Sequence, residues 1–170
     1  MRKLRIGVVG ASDAPADLYS LAETVGRLIA EAGAVLICGG GAGVMEGASK
    51  GAKSAGGITV GILPGTNENE ANQYVDIPII TGMGHGRNII NVWSSDVVIA
   101  IGGGYGTLSE IALALRTNKP VIGLSTWSFS IQGMGESIRY LRAGTAKEAV
   151  RKALELAAQK DTMAEKHRTL

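Results

Sequence analysis

Two stretches of this chain bring glycine, hydroxyl and carboxylate together where chemistry could occur. In Ile99 to Glu110, IAIGGGYGTLSE, an apolar run ends in Gly102, Gly103 and Gly104, followed by Gly106, Thr107 and Glu110. In Cys38 to Gly47, CGGGAGVMEG, a second apolar run ends in Gly39, Gly40, Gly41 and Gly43. Glycine reaches positive φ and lets a ligand approach the main chain, while the free N–H groups of a helix start favour an anion. Two such turns on one sheet point to a ligand carrying phosphate. The alternative is that the glycines serve only tight turns and close packing.

Further candidates flank these turns. TGMGHGRNIINVWSSD sets Arg87 at a helix start, where a guanidinium can hold a phosphate through two parallel hydrogen bonds, or else is simply solvated. Asn88 adds an amide donor or a cap. Glu110, beside a phosphate-binding turn, suits a general base or the stabiliser of a cationic sugar transition state. Thr107 and Glu110 also have capping-box spacing. At the end of the first strand, Gly10 and Ser12, with Asp13, face the same edge. There Ser12 and Asp13 touch a ribose or base, or cap the first helix. His85 reads as an exposed loop residue and Cys38 as a small buried one. With one cysteine and only His85 and His167, no metal-ligand spacing occurs, and no metal is expected.

These residues need a frame that presents several loops at one edge. Leu4 to Val9, Ala34 to Cys38, Ile58 to Leu63, Ile77 to Ile80, Val97 to Ile101 and Val121 to Leu124 are short, rich in β-branched residues and without polar alternation, the pattern of buried parallel strands. Helical periodicity lies between them, at Leu18 to Ile29, Val44 to Ala55, Arg87 to Ser94 and Gly106 to Arg116, with a last helix from Ala146 to Ala158 behind a Thr145 cap. The alternation implies an α/β, Rossmann-like, doubly wound and mainly parallel sheet with helices on both faces. Ligands in such sheets sit beyond the carboxyl ends of the strands, where the glycine bursts fall. Polar NENEANQY, Asn67 to Tyr74, reads as a solvated loop, and Ser125 to Gly135 has no assignable pattern.

Length and composition limit the alternatives. A chain of 170 residues suits one domain, expected over 1–160, with a polar tail over 161–170 that frays. No apolar run approaches the roughly 18 residues of a membrane helix, and the N-terminus lacks a signal peptide's apolar core, so a cytoplasmic protein without membrane contact is expected. A net charge of +2 with dispersed Lys and Arg, and 4% aromatics, argue against a nucleic-acid partner. No Walker lysine follows the glycines, which argues against a P-loop, and the G-x-G-x-x-G fingerprint and an acid after the second strand are missing, which ranks nicotinamide chemistry low.

GGGAGVMEGASKGAKSAGGITVGILPG, followed by GRNIINVWSSDVVIAIGGGYGTLSEIALAL, resembles the LOG-like superfamily, in particular its branch of molybdenum cofactor carrier homologues. The resemblance covers Ile6 to about Leu124. It implies a Rossmann-like fold, a homodimer or homotetramer, and one of two activities. LOG phosphoribohydrolases cleave the N-glycosidic bond of nucleoside 5′-monophosphates with a P-G-G-x-G-T-x-x-E motif and an Arg-Lys pair. Gly103, Gly104, Gly106, Thr107 and Glu110 match the motif and Arg87 matches the arginine, so Arg87 and Glu110 would be catalytic in a hydrolase. Gly102 replaces the proline and Asn88 the lysine. The carrier branch tolerates both changes and implies binding of molybdopterin phosphate or a related anion without turnover. The label "possible lysine decarboxylase", common among members, implies a lysine Schiff base for which no lysine is well placed. The expected binding residues are thus Gly10, Ser12, Gly39, Gly40, Gly41, Gly43, Arg87, Asn88, Gly103, Gly104, Gly106 and Thr107. No cofactor is required, and the molybdenum cofactor enters as cargo.

Overall fold

The structure is a computed structural model. It describes residues 2–128 and 140–168, with side chains described as far as 159, so most of the unassigned 125–135 stretch and the side chains of the 161–170 tail lie outside the described residues. The strands are β1 (Arg5–Gly10), β2 (Val35–Cys38), β3 (Thr59–Leu63), β4 (Ile77–Ile80), β5 (Val97–Ile101), β6 (Val121–Leu124) and β7 (Tyr140–Ala143). The helices are α1 (Ala16–Glu31), α2 (Val44–Ser54), α3 (Asn88–Ser94), α4 (Tyr105–Arg116) and α5 (Ala146–Arg168), with 3-10 turns at Glu68–Glu70 and Gly84–Arg87.

The strands form one sheet in the order β4-β3-β2-β1-β5-β6-β7, parallel at every pairing. The chain winds outward from β1 in one direction, then returns to β5 on the other side of β1. The switch point is therefore the β1/β5 boundary, flanked by the loops after β2 and β5. Alternation along the central strands supplies both faces. Val8, Ile99 and Ile101 pack against α1, α2 and α5, while Val9, Val98 and Ala100 pack against α3 and α4.

Several expectations require correction. Strand β4 is not buried: Ile77, Ile79 and Ile80 are 49%, 42% and 48% exposed, because β4 is an edge strand of the sheet. Strand β7, which pairs Tyr140 to Ala143 with Val121 to Leu124, was not expected, because YLRA is short and carries a charge. Helix α1 has Pro15 at its N-cap with no side-chain bond, so Ser12 and Asp13 do not cap it. Thr145 does cap α5: its Oγ1 accepts from the Glu148 N–H at 3.2 Å, while Glu148 Oε2 accepts from the Gly144 N–H at 2.8 Å. The helix then continues to Arg168, past the expected end. Helices α1 and α2 cross closely enough that a Cβ on Gly26 would stand 1.9 Å from the Ala48 carbonyl oxygen, and one on Gly51 1.8 Å from that of Glu23.

Candidate functional site

Arg87 closes the 3-10 turn ahead of α3, and its guanidinium reaches back over the loop after β2. A Cβ on Gly39 would stand 2.4 Å from Arg87 Nη1, so the absence of a side chain at Gly39 creates the seat for the arginine. From that seat Nη1 faces Glu110 Oε1 on α4 at 3.9 Å, within ion-pair reach but too long for a hydrogen bond. The two side chains are 13% and 8% exposed. Arg87 Nε is buried with no hydrogen-bond partner among the described residues. A guanidinium this enclosed and this poorly paired is costly unless an anion completes it.

Glu110 is held from the other side by α3, where Asn91 Nδ2 donates to its Oε1 at 2.8 Å. Burial pushes the Glu110 carboxyl up to about 7, against the opposing pull of the Asn91 hydrogen bond and the Arg87 charge. Glu110 therefore exchanges its proton near neutrality. It is not part of a capping box, since α4 begins at Tyr105 behind Gly104 and Thr107 already lies inside the helix.

The glycines fall into two groups when each is asked what a Cβ would meet. In the first loop Gly40 faces Leu63, Gly41 faces Met45, and Gly43, at φ +64°, lies against the Ala11 and Ser12 carbonyls. Gly10 is likewise packed against Val44 and the Ile101 carbonyl. The N–H of Val44, at the start of α2, is spent on Ala11 O. Asn72, from the loop read as solvated, donates to the carbonyls of Gly40 and Gly41 at 3.1 and 2.8 Å and clamps the turn. Gly10, Gly40 and Gly43 have packing or backbone reasons to be glycine, while a Cβ on Gly41 would meet only the flexible end of Met45. In the second loop a Cβ on Gly103 would strike Thr107, but one on Gly104 or Gly106 would meet nothing within 4 Å. Gly104 and Gly106 thus keep main chain bare toward open space at the start of α4, whose first-turn N–H groups lack intrahelical acceptors.

Gly102 has φ +55°, which a proline ring locked near −65° cannot adopt, so the departure from the hydrolase motif at this position changes the backbone. The turn is tied down from the chain after β6: Thr126 Oγ1 donates to Gly102 O, and Trp127 Nε1 to Gly104 O at 3.3 Å.

Beside the second loop lies a cavity of about 600 Å³ lined by His85, Gly86, Asn88, Ile89, Tyr105, Gly106, Ser109 and Leu113. It touches the second glycine loop and not the first, and Arg87, between Gly39 and Glu110, is not among its lining residues. Asn88 is buried and gives its Nδ2 hydrogen to Ser109 Oγ at 3.0 Å, linking α3 to α4. Thr107 is also buried, Ser12 and Asp13 are exposed beside the Gly43 turn, and His85 is exposed at the cavity. Cys38 is fully buried; burial raises its thiol pKa, and its Sγ accepts from the Gly40 N–H at 3.3 Å. It is a structural residue, not a nucleophile. Asn91 and Asn72 were missed. The i+4 spacing of Asn91 from Arg87 was the one available signal for it, and Asn72 had none.

Fold and site together define a Rossmann-like α/β protein with two glycine turns and a buried arginine–carboxylate pair at the switch point of its sheet. The chain belongs to the SLOG cluster4 family, whose model matches residues 3–160. The molybdenum cofactor binding protein of Rippkaea orientalis superposes with a TM-score of 0.82 at 42% identity, covering 92% of this chain and 98% of that one. The molybdenum cofactor carrier protein of Chlamydomonas reinhardtii superposes with a TM-score of 0.82 at 39% identity, covering 92% and 99%. The cytokinin riboside 5′-monophosphate phosphoribohydrolase of Mycobacterium tuberculosis is 35% identical over 126 residues, 69% of this chain and 67% of that protein. The LOG-like resemblance, with its carrier-protein branch, is thereby established.

Proposed function

We propose that this protein binds and carries a phosphorylated small molecule, the molybdenum cofactor or a nucleotide, in the cytoplasm. The observation that carries the reading is Arg87: a buried guanidinium, seated on Gly39, with an Nε hydrogen that nothing in the described protein accepts. The bare main chain at Gly104 and Gly106 supplies further donors for the same phosphate. Similarity to two molybdenum cofactor binding proteins over nearly their whole lengths supports the cargo. One domain over 1–160 is sufficient for this role, and we infer a homodimer or homotetramer from the same kinship. The test is a thermal shift: cargo at about 100 times its dissociation constant adds roughly 2.7 kcal/mol to stability. Arg87→Ala should cut that shift by at least about half, the effect of a tenfold loss of affinity.

A second reading has one specific observation in its favour. Glu110 titrates near neutrality beside Arg87, the state required of a carboxyl that gives and takes a proton during loss of a base from a nucleoside monophosphate. The M. tuberculosis relative agrees with it. Gly102 at φ +55° and Asn88, engaged with Ser109, argue against it, since they occupy the positions of the hydrolase proline and lysine. Incubation with AMP and isopentenyladenosine monophosphate, followed by assay of free base, separates the readings. Release of base that is lost in Glu110→Gln establishes turnover.

A further inference from the structure

One cation sits between two claimants at this site. Arg87 is the guanidinium that an incoming phosphate would meet, and it already faces Glu110 at 3.9 Å with both side chains nearly buried. An anion arriving at the exposed edge of Arg87, whose side chain is 13% exposed, puts two negative groups around one positive group where little water remains to screen them. The cheapest relief is for the carboxylate to become neutral.

We propose that anion binding here is coupled to uptake of one proton by Glu110, and that Asn91 is the positioning residue that tunes the coupling. The inference rests on the phosphate-binding reading above. Asn91 is 2% exposed and has one filled and one empty polar contact: Nδ2 donates to Glu110 Oε1, while Oδ1 is buried with no partner among the described residues. Donation from an amide favours the ionised carboxylate. A half-turn of the amide about its last bond would aim Oδ1 at Glu110, where it accepts from the O–H of the protonated acid. Asn91 can thus partner either state, and its donation to the carboxylate is the stronger contact, since its hydrogen bond lowers the Glu110 pKa. A leucine or an ion at this position would serve one state at most.

The surroundings leave Glu110 as the group that responds. Helix α3 (NIINVWS), β5 (VVIAI) and β6 (VIGL) contribute no titratable side chain. Strand β1 brings only Arg5, which is engaged with Asp96. Strand β2 brings Cys38, whose thiol burial keeps neutral. The turn before α3 brings Arg87 itself and the exposed His85, and α4 carries Tyr105 and Arg116 besides Glu110. Burial already raises the Glu110 pKa to about 7, so the proton can be acquired from neutral water when an anion arrives. The proton comes from solvent, and no bond other than Glu110 O–H is formed.

Calorimetric titration with AMP and with inorganic phosphate, in buffers of differing ionisation enthalpy at pH 7.5, counts the protons. The expected result is net uptake approaching one proton per ligand, with affinity falling up to tenfold per pH unit from 7 to 8.5. That range lies above the second ionisation of a phosphomonoester such as AMP, near about 6, whereas inorganic phosphate ionises within it, so for that probe the Glu110 proton is the difference between wild type and Glu110→Gln. In Glu110→Gln, which keeps the side-chain shape, the uptake and the slope measured with AMP should both vanish. In Asn91→Leu the midpoint should move to higher pH; Asn91→Ala provides the same readout if leucine is not accommodated. Binding without proton uptake, or a slope with AMP that survives Glu110→Gln, overturns the proposal while leaving the phosphate site standing. An unmoved midpoint in both Asn91 variants overturns the role of Asn91. Failure of both probes to bind at any pH overturns this inference and the nucleotide form of the phosphate reading with it.

Discussion

Two buried carboxylates, Glu110 and Asp96, should pull stability in opposite directions with pH. The Glu110 carboxyl titrates higher in the fold than in the unfolded chain, so the native state binds the extra proton between about 4.5 and 7, and stability declines as pH rises through that window. Glu110→Gln should therefore be more stable than wild type at pH 8, by on the order of 1 to 3 kcal/mol, and should match it near about pH 4, below the window. Urea melts at the two pH values make the measurement. Burial alone would raise Asp96 too, but hydrogen bonds from Arg5 and the charges of Arg5 and Arg2 outweigh it and hold the carboxyl below 3.8. Its contribution is present at neutral pH and is lost in acid, so Asp96→Asn should flatten the acid limb of the same curve. At this scale the sequence revealed the charged partners, because Arg87 and Glu110 stand out against glycine. It concealed Asn91 and Asn72, neutral amides whose partners lie 19 and about 31 residues away in the chain.

The elements were legible where periodicity is strong. Helix α1 repeats Leu18, Leu21, Ala22, Val25, Leu28 and Ile29 on one face, and the central strands are unbroken apolar runs buried on both sides. Edge strands were harder to read, since a residue run with one neighbour strand has fewer packing demands to record: β4 looked buried and β7 left no pattern. Glycine was ambiguous, because one residue type answers both to packing and to ligand approach, and the two uses separate only in three dimensions. The separation predicts opposite outcomes. Gly26→Ala and Gly51→Ala force a Cβ into backbone at the α1/α2 crossing and should cost about 1 to 3 kcal/mol in thermal or urea melts. Gly106→Ala meets only open space within α4 and should leave stability unchanged or raise it by up to about 1 kcal/mol, while removing the thermal shift given by a phosphorylated ligand.

For the whole molecule, the alternation of strands and helices was enough to define the architecture, because a parallel strand needs a crossover and right-handed crossovers leave few topologies. Strand order then places the loops after β2 and β5 on either side of the switch point, and Arg87 links the first of them, at Gly39, to Glu110 on α4. Ile77, Ile79 and Ile80 on β4, with Trp93 and Tyr105 elsewhere, are large apolar side chains exposed on the single chain. Association into a dimer or tetramer would cover such surface, and light scattering should give a mass that is a multiple of the chain's; Ile79→Lys should reduce it if β4 lies in the contact. The most direct test of the account is an anaerobic titration of the protein and its Arg87→Ala variant with molybdenum cofactor extracted from a molybdoenzyme, alongside AMP. The predicted result is saturable binding of at least one of them to the wild type, weakened at least about tenfold in the variant, as expected for loss of a charge-assisted hydrogen-bonding group. Equal binding to both proteins, or binding to neither, would contradict it.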